Sequence, residues 1–160
     1  MPVYNNVTVV IPVYKDWETL KVCIESLKSH VISNNKILLV NDMGPEWEKM
    51  EDNIKSAIAG YDNFEYCRND ENMGFVKTCN RAVFEIDHSG NDILLLNSDT
   101  EVTAGFLEEM QEVLYAAEKH GAVCPRSNNA TLLTIPVKNE VNRAITAEES
   151  YDIYKCVKSL

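Results

Sequence analysis

Glycine is scarce in this sequence, with six in 160 residues, and no two stand close enough to build a phosphate-cradling loop. No G-x-G-x-x-G follows the first apolar run, which disfavours a dinucleotide-binding Rossmann domain, and no Gly-rich loop ending in Gly-Lys-Ser/Thr is present, which disfavours a P-loop. Clustered Lys and Arg are missing too. The 15 basic residues face 25 acidic ones, giving a formal net charge of −10. A groove that tracks a nucleic-acid backbone needs a basic stripe, so nucleic acid is not an expected partner. No apolar run approaches the length of a membrane span, and no basic segment followed by an apolar one opens the chain. The expectation is a cytoplasmic protein. The cysteines (Cys23, Cys67, Cys79, Cys124 and Cys156) number five and include no C-x-x-C pair. An odd count suits a disulfide framework poorly, so all five are read as reduced, small, buried hydrophobes.

What is present is an ordinary globular balance, 45% apolar and 25% charged. One domain over 1–160 is expected, with a core at about 5–125 and an irregular segment plus a final helix over 126–160. A short apolar run, a polar loop and a helix-period stretch recur along the chain. Val7–Pro12 (VTVVIP) reads as a strand covered on both faces. Asp16 is placed to cap a helix whose Leu20, Cys23, Ile24, Leu27 and Val31 share a stripe. Lys36–Val40 is a second strand, after which Pro45 is placed to open a helix. Phe64–Cys67 is a third strand, followed by a helix with Val76, Cys79, Val83 and Ile86 on one face and Gly90 at its end. Asp92–Leu96 reads as the clearest buried strand. The next helix carries Phe106, Leu107, Met110, Val113, Leu114 and Ala117 and is stopped by Gly121. Ala122–Cys124 is a fifth strand candidate. Beyond Pro125 the pattern breaks at Ser127–Thr131 and Thr134–Arg143, and a last helix starts near Thr146, where Thr146 and Glu149 fit a capping box.

Alternating strands and helices imply right-handed crossovers and a parallel sheet. Every loop that follows a strand then emerges at one edge, where open α/β folds take their ligands. Those loops are Val13–Asp16, Asn41–Gly44, Arg68–Gly74 and Asn97–Glu101, all rich in hydrogen-bonding groups. Asp42 or Asp99 alone is best explained as a helix-capping or turn residue; the functional reading rests on all four loops together. With the glycine motifs absent, a hard divalent metal is the natural way for an acidic chain to hold a diphosphate. In an extended turn, Asn97 and Asp99 point to one side, and their oxygens plus diphosphate and water suit Mg²⁺ or Mn²⁺. The histidines His30, His88 and His120 fall near predicted helix ends, where a cation suits the dipole. Tyr14 and Trp17 are candidates to stack on a base.

Val7–Tyr14 (VTVVIPVY), Leu38–Asp42 (LLVND), Asn72–Asn80 (NMGFVKTCN) and Leu94–Val102 (LLLNSDTEV) resemble, in order and spacing, family 2 glycosyltransferases of the GT-A fold. The resemblance implies a Rossmann-like three-layer α/β sandwich with a mostly parallel sheet, truncated before the acceptor-binding half. It implies that Pro12, Val13 and Tyr14 line a nucleotide pocket, and that Asp42, with Asn41 beside it, accepts a hydrogen bond from the base. Asn72, Gly74 and Asn80 would shape the wall around ribose and diphosphate. Asn97-Ser98-Asp99 would stand for the family's D-x-D, with Asp99 a metal ligand and Asn97 near ribose or metal. Cys79 stands where many members carry Arg, which shifts the phosphate contact to Lys77 or Arg68. The family's general base lies in a later half, so none is assigned to this chain.

The implied function is the donor domain of an inverting glycosyltransferase, taking a nucleotide-diphospho-sugar, a UDP-sugar first, with Mn²⁺ or Mg²⁺ and a carbohydrate or other hydroxyl acceptor. A non-catalytic nucleotide-sugar-binding module is the alternative, and a receiver-like signalling domain a remote one. An uncovered sheet flank would favour a homo-oligomer, or covering by the last helix.

Overall fold

The apolar runs and helix stripes fold as β1 (Val7–Val13), α1 (Trp17–His30), β2 (Lys36–Asn41), α2 (Trp47–Ile58), β3 (Phe64–Arg68), α3 (Phe75–Arg81) and β4 (Asp92–Leu95). Among the described residues α4 (Phe106–Leu114) and α5 (Ala147–Val157) follow. The structure, a computed structural model, describes residues 4–31, 34–125 and 146–157. These fall into two compact units, Met1–Glu101 and Val102–Leu160.

The first unit holds one four-stranded parallel sheet in the order β3-β2-β1-β4. Its connections explain its layers. From β1 to β2 to β3 the chain steps one way, so right-handed crossovers put α1 and α2 on the same face, where they touch. From β3 the chain steps back past β2 and β1 to reach β4, so α3 lies on the opposite face, against β1. Alternation along the strands divides the core accordingly. Val10, Leu38 and Val40 pack with Ala82, beside Cys67, Val83 and Ile86. Val9, Ile11, Ile37 and Leu39 take the other parity, toward the helices whose buried residues are Leu20, Cys23, Ile24, Leu27, Met50 and Ile54. Each fully buried aliphatic side chain contributes roughly 2 kcal/mol. Two-faced burial of β1 and β2 therefore outweighs the intrinsic preference of helices this short.

Several sequence expectations are corrected by the packing. β4 is not buried on both faces: Ile93 is 37% and Leu95 52% exposed, because β4 is the edge strand of the described sheet and α3 covers the sheet over β1 and not over it. Val76 is 67% exposed and off the buried face, which carries Cys79 of the expected stripe together with Thr78 and Ala82, while Val83 and Ile86 pack against the core as expected. The helical period is reset there. A π-helical turn, Ala82–Ile86, follows α3 directly and closes with Asp87 N–H on the Ala82 carbonyl, so Gly90 lies beyond the helix end. α2 opens at Trp47, not at Pro45, because Met43 and Glu46 both take left-handed conformations before the chain coils.

α4 ends at Leu114, so Ala117 lies outside it, and Val113 of its expected stripe is exposed. Ala122–Cys124 forms no strand. None of the cysteines is in a disulfide, but Cys124 and Cys156 are exposed and not buried. The capping box of α5 is as expected: Thr146 N–H donates to Glu149 Oε2 at 2.9 Å, and Glu149 N–H to Thr146 Oγ1 at 3.1 Å. The expected irregular segments at Ser127–Thr131 and Thr134–Arg143 lie outside the described residues. Among the described residues no helix is long and apolar enough to cross a membrane.

Candidate functional site

All four strands are parallel, so their carboxyl ends share one edge. The loops after β1, β2 and β3 leave at one level, since Val13 pairs with Asn41 and Asn41 with Arg68. β4 stops lower. Its last residue, Leu95, pairs with Val10, about 10 Å short of the end of β1 at the usual strand rise. Leu96 N–H still bonds the Val10 carbonyl at 2.9 Å, and the chain then turns, with Thr100 N–H on the Asn97 carbonyl at 3.2 Å. Strand order reverses between β1 and β4, which makes the crevice outside their carboxyl ends the topological switch point of the sheet. Its two lips are Tyr14–Asp16 and Leu96–Thr100.

On the β4 lip, Asn97 and Asp99 are exposed and Ser98 is half-buried. The segment is a closed turn and not the extended one expected, with Asn97 first and Asp99 third. Beneath it lies Cys23 of α1, whose thiol is 3.9 Å from the Asn97 carbonyl. Burial first, and then the nearby Asp99 charge, push this thiol up to about 12, against a hydrogen bond to the Thr100 backbone that works the other way. Cys23 is thus an inert support for the turn. Asn97 and Asp99 supply two hard oxygen donors of the kind Mg²⁺ or Mn²⁺ accepts. Among the described residues no three His, Cys, Asp or Glu side chains gather as a metal site. The donor set fits an ion that draws its remaining ligands from a diphosphate and water.

On the β1 lip, Pro12 is half-buried and Val13 fully buried in the strand end, while Tyr14 is exposed and Trp17 half-buried. Asp16 has φ 67° and caps α1 through a 3.4 Å bond from Thr19 N–H. Gly44, from the loop after β2, is seated directly on Tyr14. A Cβ there would lie 1.6 Å from the Tyr14 carbonyl oxygen. Only glycine lets these two loops meet.

The loop after β2 contains the most buried charge of the edge. Asp42 is 3% exposed. Its Oδ1 accepts from Asn69 Nδ2 at 2.7 Å and Met73 N–H at 2.8 Å, and its Oδ2 accepts from Gly74 N–H at 2.9 Å. Asn72 Nδ2 donates to the Asp42 backbone carbonyl at 2.9 Å. Gly74, with φ 79° and ψ 162°, sits in a region open essentially to glycine alone, and that conformation aims its N–H at Asp42. Asn41 is turned inward: its amide donates to the Trp47 carbonyl and Tyr66 hydroxyl and accepts from Met43 N–H.

Lys77 and Asn80 are exposed on α3. Arg68 is committed elsewhere, 3.1 Å from Glu51 and 4.5 Å over the Trp47 ring. At two strand spacings, the β2 and β4 columns that carry Asp42 and the Asn97–Asp99 turn stand about 10 Å apart. Sequence reasoning missed Asn69, Thr78 and Arg81, which join in one network around Asp42. Asn69 follows β3 directly in a run of polar residues, and nothing local distinguishes it from its neighbours.

The sequence profile described as Glycosyl transferase family 2 matches residues 8–150. No protein of curated function matches the chain. Among solved structures, S. aureus TarS 1-349 is similar at 16% identity and TM-score 0.54, over 65% of this chain and 30% of that one. GalNAc-T7, solved with UDP, GalNAc and Mn²⁺, aligns at 15% identity and TM-score 0.60, over 69% of this chain and 21% of that one. The mannosyltransferase PcManGT from Pyrobaculum calidifontis, in complex with GDP-Man and Mn²⁺, aligns at 13% identity and TM-score 0.61, over 73% and 34%. The chain therefore spans about a third or less of the length of these structures, and at such identities the likeness establishes the fold.

Proposed function

The chain belongs to glycosyl transferase family 2, and on that premise we propose that it forms the donor-binding part of a glycosyltransferase. Its substrate would be a nucleotide-diphospho-sugar, a UDP-sugar first, and the reaction an inverting transfer to a hydroxyl of a carbohydrate or other acceptor. The observation that carries this reading is the switch point between β1 and β4, with Tyr14 on one lip and the Asn97–Thr100 turn on the other.

The nucleotide would lie along Pro12, Val13 and Tyr14, with Asn41 and Asp42 behind it in the second loop. Asn72, Gly74, Lys77 and Asn80 would form the wall on the α3 side, and Asn97 and Ser98 the wall on the β4 side. Asp99 and Asn97 would hold Mn²⁺ or Mg²⁺. When bound, such an ion offsets the charge of the diphosphate and stabilises it as a leaving group. The need is real here, because the chain carries a net charge of −10 and repels an anionic donor. Lys77, exposed at the start of α3, adds a cation to the same edge. No residue here is assigned as the general base that takes the proton of the acceptor hydroxyl. The PcManGT and GalNAc-T7 structures, solved with Mn²⁺ and with GDP-Man or UDP, support the donor class and the metal.

Calorimetric titration of the chain with UDP, GDP and dTDP, with and without Mn²⁺, tests the reading. The expected result is binding of one nucleotide in preference, strengthened by metal. Binding that ignores both metal and base would overturn it.

A further inference from the structure

Asn69 is fully buried, yet it is polar at both ends of its amide. Nδ2 donates to Asp42 Oδ1 at 2.7 Å and to Thr78 Oγ1 at 2.8 Å, while Oδ1 accepts from Arg81 Nη1 at 2.7 Å. Its backbone N–H extends the sheet ladder onto the Asn41 carbonyl at 2.9 Å. One side chain therefore ties the loop after β2, through Asp42, to the first turn of α3, through Thr78. Both hydrogens of the amide and its carbonyl are used, and no other residue type offers two donors and an acceptor in so small a volume.

We propose that Asn69 is a positioning residue for the donor site: it sets the Asn72–Gly74 loop and the start of α3 without touching the donor. The inference rests on the donor-binding reading given above. The Asp42 carboxylate gathers Met73 N–H, Gly74 N–H and Asn69 around one buried charge. Removal of the Asn69 amide takes away the shortest of these bonds and leaves the Thr78 hydroxyl without its donor. The carboxylate then turns within its recess, and the loop and helix lose their common reference. Lys77 and Asn80 flank Thr78 on α3, so their placement at the edge follows that of Thr78.

On this account Asp42 acts through the loop and not by reading a base. The two roles are separable. A carboxylate that accepted uracil N3–H would favour UDP over CDP, whose N3 is an acceptor. A carboxylate that only holds the loop affects all nucleotides alike. Disruption of the network then weakens every nucleotide by the same factor.

The experiment is calorimetry on the full 160-residue chain with UDP, GDP and CDP in Mn²⁺, at a temperature well below each variant's Tm. Asn69→Ala and Thr78→Val are each expected to weaken binding about tenfold, the scale of one lost buried hydrogen bond, with the ratios between nucleotides unchanged. Thr78→Ser, which keeps the hydroxyl, is expected to retain wild-type affinity, and amide hydrogen exchange at Met73 and Gly74 is expected to quicken in Asn69→Ala while β1 stays protected. Wild-type affinity in folded Asn69→Ala and Thr78→Val would reduce Asn69 to a role in stability and overturn the proposal. A changed UDP-to-CDP ratio would overturn it in favour of direct base contact by Asp42. A wild-type chain that binds none of the three nucleotides would overturn the donor reading itself, an outcome distinct from the other two.

Discussion

The Asp42 carboxylate meets the Gly74 backbone N–H at 2.9 Å, joining the loop after β2 to the residue that opens α3. Two features of the chain make this bond. Burial leaves the carboxylate no water to turn to, and glycine alone tolerates the backbone that aims the N–H at it. Substitution at position 74 is therefore felt although a Cβ there would meet no atom within 4 Å. Gly74→Ala is expected to cost about 2 kcal/mol, read from the shift in urea midpoint at constant slope. An unchanged midpoint would show that the loop relaxes at no cost.

Gly44 presents the opposite case, where space and not dihedral strain forbids a side chain. Gly44→Ala must push the Tyr14 backbone aside, at an expected cost of about 3 kcal/mol. Gly121→Ala, at a position with no atom within 4 Å of the added Cβ and no positive φ, is the control, expected to lie within about 0.5 kcal/mol of wild type. Equal midpoints for the two variants would refute the close approach.

Thiol accessibility divides the cysteines. Cys124 and Cys156 are exposed, whereas Cys23 and Cys79 are buried and burial raises both thiols. Iodoacetamide under native conditions is expected to alkylate Cys124 and Cys156 first and to reach Cys23 only on unfolding, as followed by peptide mass spectrometry. Early modification of Cys23 would mean that the Asn97–Thr100 turn opens readily.

At the opposite edge of the sheet, Lys36 reaches Asp87 at 3.3 Å and Glu65 at 2.8 Å. Burial pushes Asp87 upward, but hydrogen bonds from Ser89, Thr8 and Lys36 outweigh it, and the carboxyl is held below its ordinary 3.8. A depressed carboxyl contributes stability that is present above its ordinary value and lost as pH falls through the folded one. Lys36 is displaced the other way: burial lowers it, yet its bonds to Glu65 and Asp87 raise it above 10.5, and its contribution fades as pH rises beyond that value. Asp87→Asn is expected to flatten the loss of stability below pH 3.8 in urea titrations. An acid limb as steep as in wild type would remove Asp87 from the account.

Asp99 is exposed and its replacement leaves no cavity. Asp99→Ala is expected to keep the wild-type Tm while erasing the Mn²⁺ enhancement of nucleotide binding. Enhancement that survives the substitution would place the metal on other ligands.

Much of this was legible in the sequence. β1, β2 and β3 announce themselves by β-branched and aliphatic runs, and α1 by a stripe that the structure buries residue for residue from Leu20 to Leu27. The edge where the polar loops gather follows from alternation alone. What was not legible depends on contacts distant in sequence. Ile93 and Leu95 are apolar whether a strand is central or at an edge, so composition gave no sign that β4 is half uncovered. Val76 misled because the π-helical turn at Ala82 breaks the period on which the stripe was drawn. Ala122–Cys124 is a three-residue run, too short to identify a strand without a ladder partner.

At the site, the candidate residues in all four loops could be named, but their division of labour could not. Asp42, expected to accept a hydrogen bond from the base, and Asn41 beside it are both buried and engaged within the protein. Asn69 had no distinguishing context at all. Its partners come from two elements distant in sequence, Asp42 from the loop after β2 and Thr78 and Arg81 from α3.

The strand order bears on how the chain is made. Of these four strands β1 is synthesised earliest, and it lies between β2 and β4, so it acquires one neighbour early and the other only once Asp92–Leu95 has followed. A β1-β2-β3 sheet can assemble through local crossovers, but its β1 flank must wait, bare, for a strand that returns across the whole sheet. The residues that complete the switch point are thus the last of the first unit to arrive, and the lip carrying Asn97 and Asp99 cannot exist in any nascent form that ends before them.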